Sequence, residues 1–207
     1  KLEYRGYDSS GVAILNNKKI YTTRAKGKLS KLISKLNQKK ISGNIGIGHT
    51  RWATHGVPST TNAHPHTTHE VSIVHNGIIE NYSSLKTKLI TQGSIFKSET
   101  DSEVISHLLT KQLQKETPMK AVQKTLKLLD GAFAIAILFK NSNLLVGSRK
   151  GSPLALGVKN KSLYLGSDSV ALSPFAKQIS YLEEGDTVFI ENGSYQIFNE
   201  KFQRVKR

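Results

Sequence analysis

Apolar positions alternate, cluster or recur at helical spacing in a clear order along the chain. Ser10 to Leu15 and Ile20 to Arg24 read as two strands joined around Asn16-Asn17-Lys18-Lys19, a hairpin signal. From Lys28 to Lys39, Leu29, Leu32, Ile33 and Leu36 recur at helical spacing, with lysines between them, as on a helix packed on a core. Ile45-Gly46-Ile47-Gly48 predicts a short buried strand opening into a loop at His49. Val71 to Gly77 alternates as another strand and ends in Asn76-Gly77, a turn signal. Glu80 to Gln92 predicts a helix with Leu85, Leu89 and Ile90 on one side and Gly93 as its stop. Ile95-Phe96 reads as a short strand. Helices then follow at Thr100 to Gln114 and Pro118 to Leu129, the second with proline in its first turn.

Beyond Asp130-Gly131 the pattern changes to strands. Ala132 to Phe139 is almost unbroken apolar sequence, as expected of a strand buried on both faces. Shorter strands are predicted at Leu144 to Ser148, Pro153 to Val158, Ser162 to Gly166, Ile179 to Leu182, Thr187 to Ile190 and Tyr195 to Asn199, with a short helix near Ser169 to Pro174. Many strands with clustered helices and little βαβ alternation predict an α+β fold of layered sheets. No repeat or linker divides residues 1–207, which read as one domain.

Composition narrows the function classes. Thirty Lys and Arg against 15 Asp and Glu give a net charge of +15, which raises nucleic acid as a partner. The lysines are scattered, however, and no arginine tract or aromatic-interleaved basic motif accompanies them, so a solvated surface explains the charge better. No apolar run has the length of a membrane span. Cysteine is absent, which removes a disulfide framework and thiolate metal sites and fits the cytoplasm. His49, His55, His64, His66 and His69 cluster in sequence, but no His-Glu-x-x-His helix or comparable ligand spacing accompanies them. They are expected to pin a long loop through hydrogen bonds rather than to hold a metal.

Three stretches carry candidate chemistry. His49-Thr50-Arg51-Trp52-Ala53-Thr54-His55-Gly56 places an arginine fork for a carboxylate beside the only tryptophan. Val74-His75-Asn76-Gly77 offers a side-chain amide next to a glycine N–H, the donors an oxyanion hole requires, or simply a hairpin turn. Ser98-Glu99-Thr100-Asp101-Ser102-Glu103 reads as a helix start, where Asp101 caps free N–H groups or holds a substrate ammonium.

With Leu2-Glu3-Tyr4-Arg5-Gly6-Tyr7-Asp8-Ser9-Ser10-Gly11 ahead of these stretches and Gly151-Ser152-Pro153-Leu154 after them, the sequence closely resembles the glutaminase domains of glutamine–fructose-6-phosphate aminotransferases. The resemblance covers essentially the whole chain. It implies a four-layer αββα sandwich of the N-terminal-nucleophile hydrolase type. It implies L-glutamine as substrate, with Arg51, Thr54 and the His55 backbone at the α-carboxylate. Asp101, with the Gly77 backbone, would take the α-ammonium, Asn76 and Gly77 would form the oxyanion hole, and Trp52 would gate departing ammonia. Arg5 and Gly6 would lie near the nucleophile. No cofactor or metal is implied.

In that family the nucleophile is an N-terminal cysteine whose own amino group serves as base. Neither is among these residues, so the chain is expected to be a fragment that does not hydrolyse glutamine alone. The resemblance further implies a partner isomerase half that receives the ammonia on fructose 6-phosphate and makes the enzyme a homodimer. The alternatives are a non-catalytic glutamine-binding or regulatory module and the glutaminase domain of another class II amidotransferase.

Overall fold

The computed structural model describes residues 8–39, 41–52 and 55–207. Strand β1 (Ser9–Asn16) and β2 (Lys19–Lys26) form the expected hairpin, paired from Ser9↔Lys26 to Asn16↔Lys19. Its two-residue turn puts Asn17 at φ 48° and Lys18 at φ 58°, the left-handed pair that matches strand twist. Helix α1 (Leu29–Lys39) follows, and β3 (Ile45–Arg51) returns antiparallel along β1. Only Leu32 of α1 is fully buried and Ile33 is exposed, so the helix meets the sheet through a narrower stripe than its pattern suggested.

After a two-residue strand, β4 (His66–Thr67), comes β5 (Val71–Ile79). Helices α2 (Tyr82–Thr91), α3 (Glu103–Leu113) and α4 (Pro118–Leu126) separate it from its partner β6 (Gly131–Phe139). The expected strand at Ile95-Phe96 is irregular: Ile95 is exposed while Phe96 packs beside the helical core. Ile90, expected inward on α2, is exposed.

The remaining elements are β7 (Leu144–Lys150), β8 (Ala155–Lys159), β9 (Ser162–Gly166), α5 (Ser169–Leu172), β10 (Gln178–Tyr181), β11 (Thr187–Glu191), β12 (Ser194–Phe198) and β13 (Arg204–Val205). One sheet has seven strands in the order β13-β12-β11-β7-β6-β5-β4. Opposite it, among the described residues, lie two three-stranded sheets, β2-β1-β3 and β10-β8-β9.

Strand β6 shows how one sequence serves two cores. Its odd-numbered Phe133, Ile135, Ile137 and Phe139 pack with Leu89, Val104, Ile105, Leu109 and Val122 of the helices. Its even-numbered Ala134 and Leu138 join Ala13, Ile47, Leu156 and Leu182 of the smaller sheets. The period-two alternation of a strand therefore reads as continuous hydrophobicity, because both faces are covered. With α2, α3 and α4 outside one layer and α1 and α5 outside the other, the fold is α+β, with helices flanking two β layers.

Candidate active site

The expected site residues meet in a cavity of about 750 Å³ between the β layers. Arg51, Trp52, His55, Asn76, Gly77 and Asp101 all line it. Thr54, Arg5 and Gly6 lie outside the described residues.

Arg51, expected on a loop, ends strand β3, and the residue is only 4% exposed. Nη2 donates to the carbonyls of His55 and Gly56, the second at 3.1 Å, so the guanidinium folds the following loop back over the strand end. Nη1 lies 3.7 Å from an Asp8 carboxylate oxygen. Among the described residues Nη1 has no hydrogen-bond acceptor, which leaves a buried cationic donor for an incoming anion. Trp52 is 62% exposed at the cavity rim.

The expected turn at Asn76-Gly77 does not form. Strand β5 runs through it, with Asn76 opposite Ala134 and Gly77 opposite Phe133. The dipeptide is a hairpin signal only when the next strand folds back locally, and here the partner strand arrives after three helices. Glycine is required for another reason: φ is +129°, and a Cβ would sit 2.0 Å from the Ala132 carbonyl oxygen. His49 Nε2 is 2.7 Å from Asn76 Oδ1. An amide oxygen only accepts, so His49 is protonated on Nε2, and the Asn76 NH₂ is left for the cavity.

Asp101 is 3% exposed, and it does not cap α3. The N-cap is Ser102, which makes no side-chain capping bond. Instead Asp101 Oδ2 accepts the Ile79 N–H at 2.8 Å, tying the end of β5 to the start of α3, while Oδ1 accepts the Ser102 hydroxyl at 3.2 Å. A carboxylate has about four acceptor positions, so capacity for an ammonium remains. With its proton directed to Asp101, Ser102 accepts from His75 Nδ1 at 2.8 Å. That order, carboxylate–serine–histidine, is the reverse of a serine nucleophile activated by histidine, so Ser102 positions Asp101 and attacks nothing. Helix α3 starts later than expected because Glu103 closes the preceding loop. Its carboxylate accepts the N–H groups of Lys97 and Ser98 and, at 2.6 Å, the Ser98 hydroxyl.

The histidines do not pin their loop as expected. Asn62 does, donating to Val57 O and Glu99 Oε2 and accepting from Glu99 N, together with Arg24, which donates to the carbonyls of Thr61 and Ala63. His66 bonds Thr100 at 3.0 Å, but neither ring nitrogen of His64 has a hydrogen-bond partner among the described residues. His64 packs its ring 4.4 Å from that of His49 and 4.6 Å from that of His66. No three ligating side chains among the described residues are placed to share a metal ion.

Sequence reasoning missed His49, His75 and Ser102 as parts of the site. His49 alone left a usable signal, standing two residues before Arg51 on one face of a strand.

Burial holds His49, His64, His66 and His75 neutral. His64 lies well below the ordinary value, His66 is pushed down to about 3 and His75 to about 4, each mainly by desolvation. An unfolded histidine titrates near 6.5, so below that pH the unfolded chain binds protons that the fold refuses. Stability from these groups is complete above about pH 6.5 and falls as pH drops toward the folded values. Denaturant unfolding between pH 6.5 and 5 should show uptake approaching one proton per buried histidine, roughly three to four in all. A flat profile there would mean the imidazoles are charged or hydrated in the fold.

The glutamine amidotransferase domain family matches residues 49–174, a span that begins at His49 and takes in the whole polar end of the cavity. The chain belongs to that family. It is 49% identical over 209 residues to a glutamine–fructose-6-phosphate aminotransferase (isomerizing) of Mesorhizobium japonicum and 50% identical to that of Zymomonas mobilis. Both matches cover all of this chain and 34% of the relative, so the chain spans about a third of their length. Among solved structures, the allosteric regulatory enzyme of purine biosynthesis superposes with a TM-score of 0.84 at 25% identity, over 96% of this chain and 44% of that one. The glutamine phosphoribosylpyrophosphate amidotransferase of B. subtilis superposes at 0.82 and 24%, over 98% and 45%. These likenesses fit the expected amidotransferase sandwich.

Proposed function

We propose that the polar end of the cavity binds L-glutamine as the glutaminase part of an enzyme that passes ammonia to fructose 6-phosphate, giving glucosamine 6-phosphate. The observation that carries this reading is the convergence, in one cavity, of a buried arginine donor without an acceptor among the described residues, a buried carboxylate with acceptor capacity and the Asn76–Gly77 pair. Arg51 Nη1 takes the α-carboxylate beside the His55 backbone, and Asp101 takes the α-ammonium. The Asn76 amide and the Gly77 N–H face the oxygen that gains charge when the side-chain amide is attacked. Trp52 stands at the rim, where ammonia leaves. No cofactor is called for by this chemistry.

The 207 residues contain no cysteine, and the Ser102 hydroxyl beside His75 directs its proton to Asp101. In this reading hydrolysis therefore needs a thiol from residues outside these 207, and the isomerase activity and homodimeric assembly belong to the remaining length of a relative-sized protein. The cysteine-free composition fits a cytoplasmic enzyme.

Calorimetric titration of this chain should detect L-glutamine and not D-glutamine, because the carboxylate and ammonium sites fix one chirality. Glutamate release should appear only after a Cys-initiated N-terminal segment is joined to the chain. Binding without release in both forms would favour a glutamine-binding module, and no binding in either would overturn the assignments of Arg51 and Asp101.

A further inference from the structure

Between Asp8 and Glu70 the chain carries ten lysines and arginines and neither an aspartate nor a glutamate. That stretch holds ten of the fifteen net positive charges in less than a third of the length. Along the sequence the lysines look scattered, but the fold gathers them. Strands β1, β2 and β3 and helix α1 all lie within the stretch, so the sheet β2-β1-β3 and the helix against it form a layer without an acidic side chain. Glu103, whose field reaches Arg24 in this layer, is buried and accepts from Lys97 and Ser98, so it does not offset the charge at the surface.

The charge is ordered as well as unbalanced. Lys31, Lys35 and Lys39 recur at every fourth residue of α1, about 6 Å apart along its axis, and all three are exposed. Their row follows the seam with β2. Lys35 Nζ donates to the Arg24 carbonyl at 2.9 Å and Lys39 Nζ to Thr23 Oγ1 at 3.5 Å, while Lys31 lies beside Gly27. An ammonium has three donors, so each keeps capacity for an anion. Lys26 at the end of β2 and Lys28 just ahead of α1 extend the row, and none of the five forms an ion pair among the described residues. Like charges at this spacing destabilise a helix, and Lys28 and Lys31 also stand at the end of α1 where its dipole disfavours cations. The exposed positions between them, Ser30, Ser34, Asn37 and Gln38, hold neutral residues where an acidic one would relieve the repulsion.

We propose that this seam of α1 and β2 binds the phosphate backbone of a nucleic acid without regard to base sequence. A row of cations about 6 Å apart matches a polymer that carries a negative charge every few ångströms along its length. Helix α1 has no aromatic residue for stacking on bases, so the affinity is electrostatic. A membrane surface fits less well, because the apolar stripe of α1 is turned to the sheet. Leu32 is buried, Leu29 and Leu36 are half-buried, and Ile33 alone is exposed, which leaves no apolar face to enter a bilayer.

The probe is a labelled oligodeoxythymidine of about 20 nucleotides, followed by fluorescence anisotropy as residues 1–207 are added. Its log Kd should rise against log salt with a slope of about 3–4, as for five phosphates neutralised on a single strand. Lys31→Gln, Lys35→Gln and Lys39→Gln together should lower that slope by about 2 and weaken binding at least thirtyfold at about 50 mM salt. These changes relieve like-charge repulsion, so circular dichroism should show α1 no less helical than in the parent. Lys88→Gln, Lys115→Gln and Lys120→Gln together, exposed on the helical layer across the molecule, alter the net charge equally and should weaken binding less than threefold. Equal losses in the two triple variants would mean that net charge binds rather than this face. That result, a slope below about 1, no binding at about 50 mM salt, or tighter binding to phosphatidylserine vesicles than to the oligonucleotide overturns the proposal. Neither variant touches the glutamine site, so the outcome is independent of the functional reading.

Discussion

Replacing Arg51 by alanine should weaken L-glutamine binding by about thirty-fold to several thousand-fold, the equivalent of 2–5 kcal/mol for removing one partner of a desolvated charge pair. The range is wide because Arg51 does two things. Through Nη1 it would offer the proposed α-carboxylate a buried donor, and through Nη2 it holds the His55 and Gly56 carbonyls, setting the shape of the loop. Alanine removes both and also leaves Asp8 without the guanidinium 3.7 Å away. Lysine keeps the charge but not the fork, and one ammonium cannot reach the loop carbonyls and a carboxylate with the same geometry. Arg51→Lys should therefore recover only part of the loss. Titration calorimetry well below the unfolding midpoint of each variant separates binding from folding. If the alanine variant binds glutamine as the parent does, Arg51 is a loop-holding residue and the carboxylate site lies elsewhere.

The local signals in the sequence were reliable where one segment decides its own structure. Asn17-Lys18 adopts the left-handed turn that its position between two alternating strands calls for, and the apolar run at Ala132–Phe139 is doubly buried. Proline opens α4, and Gly93 follows α2 at φ +86°. The readings failed where a distant partner decides. Asn76-Gly77 has the chemistry of a hairpin turn, but β6, arriving from some fifty residues away, pairs straight through it. Asp101 stands where a helix cap is expected, yet the N–H of Ile79 claims its carboxylate. At Ile95-Phe96 a local apolar pair found no strand to pair with, and only Phe96 is drawn into the helical core.

The candidate site follows the same division. Arg51, Trp52, Asn76 and Asp101 stood out because their side chains suit a zwitterion's groups, whatever fold carries them. His49 and Ser102 did not stand out. Each acts by orienting another side chain, Asn76 in one case and Asp101 in the other, and that relation exists only once β3, β5 and α3 are side by side. Histidine clustering in the sequence suggested either a metal or a hydrogen-bonded loop. Burial selected a third outcome, neutral rings packed on one another, with Asn62 and Arg24 holding the loop.

Gly77 is where fold and chemistry meet most tightly, and Gly77→Ala should be among the most damaging single-methyl changes in this chain. At φ +129° an L-residue is strained by about 1–3 kcal/mol whatever surrounds it. The added Cβ would also fall 2.0 Å from Ala132 O and 2.9 Å from the Phe133 Cα, both backbone atoms of the adjacent strand. Backbone cannot rotate aside as a side chain can, so β5 and β6 must separate, at a further cost of about 1–3 kcal/mol. A loss of roughly 2–6 kcal/mol lowers the unfolding midpoint by roughly 4–24 °C in a chain of this size. The natural control is Gly48→Ala on β3, where the nearest atom to a new Cβ is Val12 Cγ1 at 3.4 Å and no left-handed backbone is involved. That variant should stay within about 1 kcal/mol of the parent, the range of a propensity change. The contrast also bears on the oxyanion reading, since any shift of β5 that relieves the clash moves the Gly77 N–H away from the Asn76 amide. Paired urea-unfolding curves decide it. A Gly77→Ala chain as stable as the Gly48→Ala chain would mean that Asn76-Gly77 is the loose turn its sequence resembles, and no fixed donor pair would exist there for a developing negative charge.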